Sequence, residues 1–112
     1  MKSMTLTLIV LYTQQMQVVC AFYEILGLEF TSEKHGTGPE HFSTNLKNGV
    51  VLEIYPGTPT NVRLGIEVES LSHTLRELRL TGLQVKETLQ QRERQVAIVE
   101  DPDKRKIELS QA

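Results

Sequence analysis

Thr5 to Tyr12 is a nearly unbroken apolar run of Leu, Ile and Val, the pattern of a buried strand. The period then changes. Met16, Val19, Cys20, Tyr23 and Leu26 recur every three or four residues, which predicts a helix with one apolar face. Gly27 stands where the C-terminal cap of that helix belongs. Alternation resumes from Leu28 to His35, and Gly36-Thr37-Gly38-Pro39 reads as a turn. Glu40 to Leu46 returns as a strand. Lys47-Asn48-Gly49 is a second hairpin signal, and Val50 to Tyr55 is the next strand. Pro56-Gly57-Thr58-Pro59 reads as a linker.

The order then repeats. Val62 to Val68 predicts a strand, and Ser70 caps a helix whose apolar face is Leu71, Leu75 and Leu78, with Thr74 on the same side. Gly82 ends it. Leu83 to Thr88 reads as a strand, Gln90 to Glu93 as a polar loop and Val96 to Glu100 as a strand. Asp101-Pro102-Asp103 is turn chemistry, since proline presets φ and aspartate bonds its own backbone. Ile107 and Leu109 then alternate with Glu108 in a last strand. Three pieces of the chain recur in one register. Glu108 lies 55 residues after Glu53 (108 − 53), and Gly27-Leu28 and Leu8-Ile9 find counterparts in Gly82-Leu83 and Arg63-Leu64 at the same offset. The reading is an internal duplication: one domain of two βαβββ modules, residues 4–56 and 61–111.

Each such module has a helix on one face of its sheet only. The fold class is therefore α+β, with paired modules forming a curved mixed sheet around a cleft on the side away from the helices. Parity sorts the residues. With Leu52, Ile54, Ile107 and Leu109 under the helices, the cleft face receives Glu53, Tyr55, Lys106, Glu108 and Ser110. By the same rule Tyr12 on the first strand and Arg63, Gly65 and Glu67 around the fifth face the cleft.

Composition narrows the partners. A net charge of −2 and no tryptophan argue against nucleic acid, which asks for a clustered basic face and stacking platforms. Leu6 to Tyr12 is too short to span a bilayer and carries no signal-peptide cleavage pattern, so no membrane partner is expected. Cys20 is the single cysteine, which excludes a disulfide framework and places the thiol in the core of the first helix. These features fit a cytoplasmic location.

Phe22-Tyr23-Glu24-Ile25-Leu26-Gly27 and Asp101-Pro102-Asp103 followed by Ile107-Glu108-Leu109 are similar to the helix end and the closing turn–strand of the vicinal oxygen chelate superfamily. That superfamily holds glyoxalases, bleomycin-resistance proteins and extradiol dioxygenases. Glu33-Lys34-His35-Gly36-Thr37-Gly38-Pro39-Glu40-His41-Phe42 further resembles the hairpin of a subgroup without settled function. The resemblance covers essentially the whole chain. It implies metal ligands on the first, fourth, fifth and eighth strands, places that hold Leu8, Glu53, Arg63 and Glu108 here. The family's turn glycine is Lys104, an uncomfortable residue if φ is positive. The resemblance also implies a homodimer, and unpaired sheet edges supply a physical motive for one.

Leucine cannot ligate a metal and arginine repels one. At the dielectric of a partly buried site, charges about 4 Å apart interact by roughly 4 kcal/mol, so Arg63 is expected between Glu53 and Glu108 in place of an ion. No cofactor is expected at those positions. Arg63 then serves either as a structural ion pair or as an anchor for an acidic small-molecule ligand through its planar fork. Glu53, Tyr55, Tyr12 and His35 complete the ligand-binding set. The competing reading is a lyase, isomerase or dioxygenase-like enzyme, with Glu108 and His41 as the catalytic acid–base candidates, and glyoxalase I activity itself disfavoured. His35 and His41 flank one turn and approach each other across the hairpin; a divalent metal held by them with Glu53 is a further, weaker alternative.

Overall fold

A computed structural model of the chain describes residues 3–91 and 94–112. Its elements follow the order expected: β1 (Leu8–Thr13), α1 (Met16–Ile25), β2 (Thr31–Glu33), β3 (His41–Asn45), β4 (Val51–Pro56), β5 (Leu64–Val68), α2 (Leu71–Leu80), β6 (Glu87–Gln91), β7 (Arg94–Glu100) and β8 (Lys106–Gln111). The strands form two four-stranded sheets, ordered β1-β4-β3-β2 and β5-β8-β7-β6. In each, the first strand runs parallel to the last and the remaining pairs are antiparallel. The α+β class holds, with the eight strands hydrogen-bonded as two mixed sheets.

The repeat is visible in the ladders. Ile9 pairs with Leu52 and Leu11 with Ile54; at the same offset Leu64 pairs with Ile107 and Ile66 with Leu109. Phe42–Ile54 and Ala97–Leu109 match likewise. The offset slips by one residue only at the outer hairpins, where Thr31 opposes Ser43 but Glu87 opposes Ile98. That slip shifts β6 towards the C-terminus. Leu83 and Val85, expected in a strand, instead lay their side chains on the core outside the ladder, as do Leu28 and Phe30 before β2. Gln90 and Gln91, expected in a loop, belong to β6. Arg92 and Glu93, the rest of that expected loop, lie outside the described residues.

The helices pack as their periodicity dictates. Val19, Cys20, Phe22 and Tyr23 of α1 and Leu71, Thr74, Leu75 and Leu78 of α2 are buried. The Ser70 hydroxyl accepts the His73 amide at the start of α2. Gly27 and Gly82 close the helices at φ +114° and +90°. α1 and α2 touch, and both helices share a single core with Leu11, Leu52 and Ile54 of one sheet and Ile107 and Leu109 of the other. The predicted inward set is therefore the core. The opposite face of each sheet is turned outward.

A buried polar knot ties the two halves together. Asp101 accepts the Tyr23 hydroxyl at 2.7 Å and the Arg105 guanidinium at 2.9 Å. Arg105, 2% exposed, also donates to the Thr60 carbonyl, the Tyr12 carbonyl and Asp103. Gln15 reaches Asp103 and the Pro102 carbonyl from the start of α1. The Asp-Pro-Asp turn thus anchors β8 to the end of β1 and to the linker.

Candidate functional site

The outward face of the first sheet gathers its polar residues around His41. Glu33 and His41 oppose each other across β2 and β3, and Ser43 opposes Glu53 across β3 and β4. His41 and Ser43 share a face, so Glu53 is the diagonal neighbour of His41. Glu53 Oε2 lies 3.5 Å from His41 Nε2, and Glu33 Oε2 lies 3.8 Å from it. His35, just beyond β2, places Nε2 3.1 Å from the same Glu33 oxygen. The two imidazole rings are 5.2 Å apart, the approach expected from the turn between them.

Tyr55 seals this cluster. Its ring stacks on His41 at 4.1 Å and 9°, leaving His41 only 1% exposed, and Tyr12 leans on Tyr55 at 6.0 Å. Desolvation, then the charges of Glu53, Tyr12 and Glu33, raise the Tyr55 hydroxyl above its ordinary range, so it stays a donor at neutral pH. The sequence-derived set Tyr12, His35, His41, Glu53 and Tyr55 is therefore one constellation. Glu33, not among the candidates, belongs with it. Its signal was its place two residues before His35 on the same strand face.

The outward face of the second sheet carries the other candidates. Arg63 Nη2 donates to Glu108 Oε1 at 2.5 Å, with both side chains partly exposed at 54% and 33%. Gly65, Glu67, Arg94, Val96 and Ser110 complete a recess of about 180 Å³ beside Glu108. Arg94 was missed because its segment read as a loop border; it shares the parity of Val96 on β7. A larger recess of about 400 Å³ lies elsewhere, between α1 and the end of α2, and is mainly apolar apart from Glu100 and Asp101. Asp101 is already committed to Tyr23 and Arg105.

One expectation needs correction. Arg63 does not stand between two glutamates; among the described residues it pairs with Glu108 and not with Glu53. The reason is topological. Glu53 sits on β4, bonded to β1 and β3, whereas Glu108 sits on β8, bonded to β5 and β7. The four positions corresponding to a superfamily metal site are divided in the same way: Leu8 and Glu53 on one sheet, Arg63 and Glu108 at the other.

With this geometry in hand, residues 5–56 match a domain family described as Bd2520-like, N-terminal, putative lactoylglutathione lyase-like. The structure resembles an oxidase, ChaP-H2, at 18% identity and a TM-score of 0.79, covering 99% of this chain and 95% of that one. It also resembles a glyoxylase/bleomycin resistance protein/dioxygenase domain from Frankia sp. EAN1pec (18% identity, TM-score 0.73, 100% and 93% covered). A lactoylglutathione lyase from Agrobacterium tumefaciens is similar at 12% identity and a TM-score of 0.71, with 96% and 93% covered. The chain has the fold of the glyoxalase/bleomycin-resistance/dioxygenase proteins. No curated protein sequence matches it. Of the four positions that the sequence resemblance marks, one holds a leucine and another the arginine paired with Glu108.

Proposed function

We propose that this protein binds an acidic small molecule, and that two copies assemble so that the His41–Glu53 face of one chain and the Arg63–Glu108 face of its partner close a cleft. The observation that carries this reading is the outward placement of both polar clusters within one chain, His41–Glu53 on one sheet and Arg63–Glu108 on the other. A compact 12.7 kDa chain exposes about 6,200 Å², whereas this one exposes 7692 Å². The excess is larger than the roughly 800 Å² that each partner contributes to a standard specific interface. Met4, Leu6 and Leu8, exposed at 91%, 57% and 48%, supply apolar surface at the edge strand β1.

Arg63 is the anchor in this reading. Its guanidinium has donors to spare beyond Glu108, and a ligand carboxylate or phosphate competes for them with charge-assisted bonds. Tyr12 and Tyr55 offer aromatic walls, and His41 and Glu53 offer polar contacts on the opposing face. The test is a thermal-shift screen of carboxylate- and phosphate-bearing small molecules against the wild type and Arg63→Met. The exposed ion pair is worth only about 0–1 kcal/mol, so the variant should melt close to the wild type without ligand. Hits should stabilise the wild type and lose their effect in Arg63→Met. Hits that stabilise both equally, or a screen with none, count against the anchor.

A further inference from the structure

We propose that Glu33, His35 and His41, with Glu53 as fourth donor, form a binding site for one divalent ion of the zinc, cobalt and nickel class at the β2–β3 hairpin. This inference does not require the small-molecule reading above, although it uses His41 and Glu53 of the same face. It also differs from the four-strand metal position of the superfamily, because three of its donors come from the hairpin instead of from β1, β5 or β8.

His41 is the buried donor of the site. Its Nδ1 lies 3.3 Å from the Pro39 carbonyl, and a carbonyl only accepts, so Nδ1 carries the proton. In the neutral ring Nε2 is then a lone pair. That lone pair is directed at Glu53 Oε2 and Glu33 Oε2, at 3.5 and 3.8 Å, and ionised carboxylates also only accept. The Tyr55 hydroxyl, at 3.4 Å, is at the far limit of a hydrogen bond. Beyond that one long contact, the buried Nε2 faces two further acceptors, an arrangement that favours something positive between them. A second proton on the ring meets that need, and so does a metal ion.

Three features favour the ion. The donor atoms of Glu33, His35 and His41 all lie within 4.8 Å of one another. Tetrahedral zinc with bonds of about 2.0–2.1 Å places its ligand atoms about 3.3 Å apart. The Glu33–His35, Glu53–His41 and Glu33–His41 contacts of 3.1, 3.5 and 3.8 Å bracket that spacing. Imidazole nitrogens with carboxylate oxygens suit zinc, nickel and cobalt. Two neutral imidazoles and two carboxylates also neutralise a divalent charge. Finally, the Pro39 carbonyl holds the ring nitrogen remote from the donors, the supporting contact that metal-bound histidines usually make. The stacked Tyr55 ring fixes the orientation of His41, while the 72% exposed His35 side chain leaves an entry path.

The experiment is titration of the full, tag-free, chelator-stripped chain with Co²⁺ and with Zn²⁺, followed by calorimetry and by the visible absorption of four-coordinate cobalt. One equivalent per chain is expected. His35→Ala, at an exposed position that leaves the fold intact, should weaken binding by more than about 100-fold, beyond what loss of a supporting group costs. His73→Ala, on α2 and away from the hairpin, should leave binding unchanged. His41→Ala should abolish it, with circular dichroism used to check folding. If that variant unfolds, the His35→Ala result decides. The proposal is overturned if the wild type takes up no ion at micromolar concentration, or if uptake survives His35→Ala or disappears in His73→Ala.

Discussion

At the scale of single residues, the most consequential side chain is one whose role the sequence hides. Arg105 stands between two other cations, Lys104 and Lys106, in a polar turn, and nothing in its spacing marks it as buried. Its environment is set by the Asp-Pro-Asp turn folding back onto β1 and the linker, a contact between distant parts of the chain. Removing one member of a buried, hydrogen-bonded ion pair leaves the other uncompensated. Arg105→Met should therefore destabilise the chain by about 3–5 kcal/mol in urea denaturation, because Asp101 is left buried without its guanidinium. A loss below about 1 kcal/mol, the level of a surface pair, would show that the knot does not hold the halves. Asp103 gives the pH dependence of the same knot. Burial alone raises its carboxyl, but hydrogen bonds from Thr13 and Gln15 and the nearby Arg105 outweigh it, and the net effect is a value below the ordinary 3.8. A depressed folded value adds stability above the unfolded value and loses it as the pH falls through the folded one. The stability difference between the wild type and Asp103→Asn should be constant near neutrality and shrink below about pH 4. A difference that grows on acidification would contradict this sign. Cys20, by contrast, was read correctly from its helical spacing: it is buried, and burial followed by Glu24 pushes its thiol up to about 11.

At the scale of elements, the helices and the inner strands were legible because period and parity report one thing, which side chains enter the core. The outer strands were less so. Apolar residues such as Leu28, Phe30, Leu83 and Val85 mark where the backbone docks, but the ladder begins only where a partner strand lies alongside, and that depends on hairpin length. Candidate site residues followed the same division. Parity put Tyr12, Tyr55, Glu53 and Glu108 on outward faces, yet parity is blind to which sheet each face belongs to, so Arg63 was assigned one partner too many. The turn before β8 shows a conflict between local preference and fold. Lys104 adopts φ 68°, where a side chain is strained, at the position of the superfamily's turn glycine. Its amide still closes the turn onto the Asp101 carbonyl at 2.8 Å. Lys104→Gly relieves the strain but gives the unfolded chain more freedom, so the net gain should be modest, up to about 1 kcal/mol in denaturation midpoint experiments. Destabilisation instead would mean that the lysine side chain contributes more than its backbone costs.

At the scale of the whole molecule, the chain is more extended than its length requires. A compact chain of this size has a radius of gyration of about 13 Å, against 14.8 Å here. The cause is the packing of the two modules through their helices, which leaves both sheets with an outward face and both first strands, β1 and β5, with one edge unpaired by the described residues. Open edges and exposed apolar side chains are surfaces that folded proteins ordinarily cover. A second copy offers the needed complement: an edge strand for an edge strand, and one outward polar face for another. If that is how the surface is covered, a charge on β1 should prevent assembly without unfolding the chain. Leu8→Glu replaces a half-exposed leucine outside the core, so its effect on a lone chain should stay within about 0.5 kcal/mol. In the assembly the same carboxylate would be taken out of water beside an apolar edge, which costs several kcal/mol when unpaired. Sedimentation equilibrium at micromolar concentration should then give a dimer for the wild type and a folded monomer for Leu8→Glu, and the monomer should lose any ligand response because each of its faces holds half the cleft. A monomeric wild type, or a Leu8→Glu protein that remains dimeric, would assign the outward faces to something other than a second copy of this chain.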